Sequence, residues 1–331
     1  MLLRFFKGTG PGVIFFIIII LITVWLSAFL NPRIVYAPSI TDDPMPLYRL
    51  LKLFTASGYL PGVVISFLLV SLMAFLLVDF NTEIFFINER TFHPAFSYIL
   101  LGGLFPENQL LNPALPASLF LILGIKKIMD GYRKSGVAYS FFDASVLIST
   151  GSLFYANLIW FALLVIIGII LLRPGSLKET GLSVLGLAAP YLIAFGIYYV
   201  AGKDLGALLS TVGNNFFGRS ESYIFSGITL VVLSFTAVLI IITTFFLFTR
   251  LNTKKIKSRQ TFSLLIWTFL IVIVVFAILP SVSVEIIWLM NIPASYFLAH
   301  YFVFVRKKFI PELLFSLFLM LILLMQIWYL K

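Results

Sequence analysis

The sequence contains no cysteine, 2 histidines and only 13 acidic residues in 331. The first absence excludes disulfides, thiolate metal centres and cysteine nucleophiles. With His93 and His300 as the only imidazoles, a site built from several histidines is excluded as well. Charge is scarce altogether: 11% of residues are Asp, Glu, Lys or Arg, against about 25% in a soluble domain. No low-complexity tail, no repeat of about 20 to 50 residues and no stretch polar enough for a soluble domain is present.

What is present is apolar. Hydrophobic residues make up 61% of the chain and aromatic residues 17%, with a mean hydropathy of +1.10. A chain of this composition is polytopic in a membrane. Backbone groups in lipid must pair within their own segment or in a closed barrel, and these long unbroken runs lack the alternation of barrel strands. The expected fold is therefore an all-α bundle of about 9 to 11 transmembrane helices. Candidate spans fall near 12–30, 60–78, 92–105, 113–128, 140–155, 157–172, 183–200, 223–249, 262–279, 286–305 and 311–329. Those between 92 and 172 are short for independent crossings and are expected to be kinked, re-entrant or shielded by neighbours. The first run is read as an anchor and not a cleaved signal, being too long for a usual signal core. Residues 1–201 form an N-terminal membrane module containing the loop 31–59, and residues 202–331 supply the C-terminal helices.

The net charge of +10 would suggest nucleic acid in a soluble protein. Here it sorts by side. With the N-terminus in the cytoplasm, 17 of the 23 basic residues fall in cytoplasmic segments, as the positive-inside bias requires. The densest run, Lys254-Lys255-Ile256-Lys257-Ser258-Arg259, is then a short loop that orients helices and touches anionic headgroups. No nucleic-acid partner is expected. The localisation implied is the inner membrane of a bacterium, and the bilayer is the first partner.

The loop 31–59 lies outside the cytoplasm in this topology and carries the tightest acidic cluster, Thr41-Asp42-Asp43-Pro44-Met45-Pro46. An acid directly before a proline reads as a helix N-cap, which assigns Asp43 to the start of an interfacial helix over 45–54. Arg49 and Lys52 share one face of that helix, opposite Leu47, Leu50, Leu51 and Phe54. Asp42 has no such structural role and stands beside a basic face able to hold a phosphate. A second outer stretch, Val212 to Glu221, combines turn glycines with Asn214, Asn215, Arg219 and Glu221. Its composition suits sugar or phosphate contact, and equally an ordinary reverse loop. Glu107 and Glu285 are further outer acids.

On the cytoplasmic side, Glu89-Arg90 reads as a local pair, and Asp143 as a cap or a partner of Lys126 or Arg133. His93 and His300 read as packing residues. The spans carry no mid-membrane charge, which argues against a proton relay. Asn291-Ile292-Pro293 breaks the tenth span, as a transporter helix would be broken or, more modestly, as a proline kinks a helix without a charged partner.

With one span, an outer acid-bearing loop, an interfacial helix and short early spans in place, the chain resembles the C-type glycosyltransferases, membrane enzymes that take sugar from a polyprenyl-phosphate carrier. The resemblance covers about residues 1–200 and includes the segments His93 to Leu100 and Ala144 to Leu153. More narrowly, the chain is similar to an uncharacterised family of multi-pass proteins of the Bacteroidetes through Phe80-Asn81, Leu104-Phe105-Pro106 and Phe141-Phe142-Asp143-Ala144. The resemblance implies a lipid-linked sugar donor. It also implies an acid as general base, Asp42 or else Asp43, and cations on the phosphate, Arg49 or Arg219. It departs from that class in lacking a soluble C-terminal domain. The sequence names no required cofactor and leaves a divalent metal open. Two other readings stay beside this one: a non-enzymatic partner of envelope proteins, and a transporter or flippase.

Overall fold

The computed structural model describes Leu3, Phe6, Gly8 and residues 10–31, 43–55, 58–132, 138–172, 177–220, 225–305 and 309–330. Among these the protein is all-α, with 13 α-helices, three short 3-10 turns and no strand. Seven stretches are long and apolar enough to cross a membrane: α1 (Pro11–Leu30), α3 (Tyr59–Ile84), α8 (Leu177–Val200), α10 (Gly227–Leu251), α11 (Ile256–Ile278), the stretch Val284–Phe304 that contains α12 (Ile287–Phe304), and α13 (Phe309–Leu330). The others are α2 (Pro46–Leu53), α4 (His93–Gly102), α5 (Ala114–Asp130), α6 (Ala138–Ser152), α7 (Ala162–Leu172) and α9 (Leu205–Phe217).

The short spans explain themselves by burial. With 10 residues, α4 is about 15 Å long, half of what a bilayer core requires. Every one of its residues is buried, so its ends lie in protein and not in lipid. The wall around it is aromatic. Trp25 and Tyr98 stand 6.3 and 6.1 Å from Trp288 between ring centres, and a β-carbon on Gly102 would come within 3.0 Å of the Trp288 ring. Where α4 ends, Gln326 of α13 donates to the Gly103 carbonyl at 2.9 Å and accepts from Ser27 of α1. Gln109 donates to the Val24 carbonyl at 3.0 Å. These buried amides pair backbone groups that neither water nor lipid could satisfy.

At its far end α3 stops at Phe85, which takes a left-handed conformation (φ 56°), and Asn88 follows at φ 64°. A bulky residue rarely holds such a backbone unaided. Asn81 fixes it, donating to the Glu89 carbonyl at 3.0 Å and accepting from the Ile87 amide at 3.1 Å. The expected Glu89–Arg90 pair is therefore not what sets this turn. Nearby, Lys126 bridges Asp79 and Glu83, each at 2.8 Å, while Asp143 pairs with Lys127 at 3.2 Å in place of the expected Lys126. Arg133 lies outside the described residues.

Two further expectations are corrected. Pro293 does not break α12, which runs from Ile287 to Phe304 with Asn291 fully buried. Surrounding helices supply the packing that lets a proline stay inside a membrane helix. The stretch Val212 to Phe217, read as a loop from its glycine and amides, belongs to α9, whose N-cap Asp204 accepts from the Gly206 amide at 2.8 Å.

Candidate functional site

The site is built on α2. Prolines at 44 and 46 delay the start of this helix: Met45 precedes Pro46 and is held extended (φ −55°, ψ 151°), because proline excludes its predecessor from helical backbone. The helix thus begins at Pro46 with Met45 in the cap position and no side-chain cap bond. Asp43 lies two residues too early to cap it, and the cap assignment is wrong. Instead Oδ1 of Asp43 accepts from Arg49 at 2.6 Å, and Oδ2 accepts from the hydroxyl of Thr211 on α9. Asn215 completes the clamp by donating to the Asp43 carbonyl at 2.8 Å. Below it, Met45 is buried against Leu153 and Ala156, with Val212 and Phe216 alongside, and the Leu47 amide donates to the Leu153 carbonyl at 3.1 Å.

The energetics of this clamp are testable. Arg49 and Asp43 keep 45% and 40% of their side-chain surface exposed, so Arg49→Ala should cost no more than about 1 kcal/mol. Asp43→Ala also removes the acceptor of Thr211 and should lower the thermal midpoint in detergent more than Arg49→Ala does.

A polar cavity of about 50 Å³ opens beside the clamp, and its chemistry comes from Tyr48, Asn157, Asn214, Asn215, Arg219 and Glu285. They come from several elements, Tyr48 from α2 and Asn214 and Asn215 from α9. Glu285 lies in the 3-10 turn Val284–Ile286 that leads into α12, and it is buried. Asn157 belongs to the 3-10 turn Ala156–Phe161 and donates to Ser281 Oγ at 3.4 Å. Its Oδ1 is buried with no hydrogen-bond partner among the described residues. Arg219 follows α9 and is held by Ser220, whose amide donates to the Pro280 carbonyl at 2.9 Å. Burial, and next the negative charge of Glu285, push the phenols of Tyr48 and Tyr155 well above the usual tyrosine range. Both phenols stay neutral beside that carboxylate.

Tyr48 has a second cavity on its other side. This one, about 240 Å³, is lined by Lys52, Tyr59, Gly62, Leu110 and Leu111. The Tyr48 hydroxyl donates to the Leu111 carbonyl at 2.9 Å and so forms the wall between the two. Lys52 stands 5.8 Å above the Tyr48 ring, within range of a cation–π contact.

Of the residues singled out from sequence, Asn214, Asn215 and Arg219 meet in the polar cavity and Lys52 lines the apolar one. Asp43 and Arg49 form the clamp next to them. Asp42 and Glu221 lie outside the described residues. Glu107 lines neither cavity and accepts from the Tyr329 hydroxyl at 3.2 Å. Glu285 proves to be the buried acid of the polar cavity, while Tyr48, Tyr155 and Asn157 went unread. An amide inside the apolar run Tyr155-Ala156-Asn157-Leu158 was the available signal for the last of these. Among the described residues no group of three or more His, Asp and Glu side chains gathers as a metal site. His93 packs among Phe96, Phe302 and Phe315, as expected of a core residue.

Fold and composition together define an integral membrane protein, an all-helical bundle with a polar site at one end. The chain belongs to the family of unknown function DUF6427, which matches residues 50–331. No curated protein and no solved structure matches it.

Proposed function

We propose that this protein is a glycosyltransferase-like membrane enzyme that passes a sugar from a polyprenyl-phosphate donor to an envelope acceptor. In this reading the chain passes through the membrane 11 times, short helices such as α4 being enclosed by protein for part of the depth, and α2 and α9 lie along the extracytoplasmic face. The N-terminus is cytoplasmic, an orientation that the asymmetry of Lys and Arg supports, and the membrane is a bacterial inner membrane.

The observation that carries the reading is the pair of cavities back to back across Tyr48, one polar with a buried acid and the other apolar with a lysine. A polyprenyl-phosphate donor has that division of chemistry. The apolar cavity receives the end of the prenyl chain, and Lys52 neutralises the phosphate. The polar cavity, at about 50 Å³, is far below the roughly 300 Å³ at which pockets begin to enclose a whole ligand. It suits the acceptor hydroxyl at the point of reaction.

The Glu285 carboxylate takes the proton of that hydroxyl as its oxygen bonds to the anomeric carbon of the sugar. The bond from that carbon to the phosphate oxygen breaks with inversion, and its electron pair leaves on the polyprenyl phosphate. Arg219 and the amides of Asn214 and Asn215 hold sugar or acceptor hydroxyls. Asp42 is the competing base, and Asp43, engaged by Arg49 and Thr211, is a positioning residue.

The test is transfer of radiolabelled sugar from a panel of polyprenyl-phosphate donors by purified protein in lipid vesicles. Glu285→Gln, Asp42→Asn and Asp43→Asn are assayed in parallel. Turnover that is lost in Glu285→Gln alone supports the reading and its base. Loss in Asp42→Asn alone keeps the reaction and moves the base. No turnover with any donor overturns the enzyme, and the non-enzymatic partner subunit, which the small volume of the polar cavity favours, takes its place.

A further inference from the structure

A third cavity, of about 360 Å³, lies between the C-terminal end of α10, the turn into α11 and the last turns of α12. Its polar lining is Asn88, Arg250, Thr253, Lys254, Lys255 and His300. Three of these are cations, and no carboxylate lines it among the described residues. This stands in contrast to Lys126 and Lys127, which are matched by Asp79, Glu83 and Asp143.

Three features mark the cavity as built for an anion. Lys254 is not splayed into solvent: its Nζ stands 5.0 Å from the ring centre of Phe262 and 4.9 Å from that of Phe304. Burial there drops its pKa to about 8, and the same desolvation strengthens its attraction for a bound anion. His300 is 1% exposed, ringed by Phe246, Phe262 and Phe304 at 5.7, 5.2 and 5.0 Å. Its Nδ1 is buried without a hydrogen-bond partner among the described residues, a cost that a ligand would remove. Lys255 is the N-cap of α11 and places no side-chain acceptor on the first turn. The opening amides of a 23-residue helix are thus left to an outside acceptor, where the helix dipole favours negative charge.

We propose that this cavity is a phosphate-binding site, occupied either by the headgroup of an anionic phospholipid or by a soluble phosphate. Arg250 and Lys254 supply the charge, the start of α11 supplies backbone donors, and His300 supplies the buried one. The site lies at the other end of the bundle from the Tyr48 cavities and does not depend on the reaction assigned to them.

The test uses the full chain in dodecyl maltoside, which carries no phosphate. One arm titrates inorganic phosphate against chloride at matched ionic strength and reads binding by calorimetry. The other counts phosphatidylglycerol molecules retained per chain by native mass spectrometry. Lys254→Met and Arg250→Met remove charge while keeping an aliphatic side chain, Lys254→Arg keeps the charge, and Lys178→Met controls for loss of an exposed cation outside the cavity. The expected result is saturable binding in one arm, weakened tenfold or more in both Met variants of the cavity and retained in Lys254→Arg and Lys178→Met. The arm that responds names the source of the phosphate. Absence of saturable binding in both arms, or equal affinity in the wild type and the two cavity variants while all elute as one folded species, overturns the proposal.

Discussion

Glu285→Gln is expected to lower sugar transfer by roughly 10² to 10⁴-fold, the range that a positioned general base contributes, with little change in the amount of folded protein. Glutamine has nearly the shape of glutamate and can still hydrogen-bond within the turn Val284–Ile286, but it accepts no proton at neutral pH. The charge that helps hold the Tyr48 and Tyr155 phenols above their usual range disappears with it, so a residue whose role were only to fill the turn would leave turnover intact. A structural role would be exposed differently, by Glu285→Ala lowering the thermal midpoint while Glu285→Gln transfers normally. The kinetic signature separates binding from chemistry as well. Loss of the base lowers kcat, whereas Lys52→Met, at the donor phosphate, should raise KM for the donor if the cation binds ground and transition states alike.

The contrast between Glu285 and Asp43 shows what could be read from sequence and what could not. The interfacial helix was legible almost to the residue, 45–54 against the observed Pro46–Leu53, because proline punctuation and an apolar stripe are local signals. The helices were legible for the same reason, seven stretches being long and apolar enough to cross a membrane, and so was the shortness of those between 92 and 172. Asp43 was misread because its partner is Thr211, 168 residues away. No local pattern encodes that pairing, and an acid before a proline satisfies the cap rule by accident. The helix α9 was hidden by Gly213, Asn214 and Asn215, all poor helix formers. Its backbone is helical because Asp204 caps it and because Asn215 bonds both Asp43 and the Thr211 carbonyl, a tertiary override of propensity. Glu285 stood in plain view as an outer acid, but only the folding of segments 154–157, 214–220 and 281–285 around one cavity distinguishes it from Glu107.

The second large effect is expected at Gly186, which has no part in any chemistry. A β-carbon at this position would stand 2.6 Å from the carbonyl oxygen of Phe142 and 2.9 Å from Cβ of Ser145. The first of these is backbone and cannot turn aside, so α8 must back away from α6. Small residues let the two helices approach this closely, as is common where lipid supplies no hydrophobic drive for association. The approach brings Ser149 Oγ to 2.6 Å from the Leu187 carbonyl and Ser152 Oγ to 2.8 Å from the Tyr191 hydroxyl. Gly186→Ala should therefore cost about 1–3 kcal/mol by overpacking, and Gly186→Leu more. Gly196→Leu, on the same helix with nothing within 4 Å of its β-carbon, should cost little. The absence of cysteine makes the displacement measurable. Spin labels at Tyr139→Cys and Leu177→Cys, both exposed at the start of their helices, should report a longer α6–α8 distance in the Gly186→Leu protein and an unchanged one in Gly196→Leu. The consequence reaches the site, because α6 ends at Ser152, just before the Leu153 carbonyl that anchors the Leu47 amide, and Tyr191 packs on the cluster that buries Met45. Moving that floor should reduce transfer in Gly186→Leu along with stability. A Gly186→Leu protein with normal stability, unchanged spacing and full turnover would show that α8 is not held by this seam, and that the floor of the polar cavity does not depend on it.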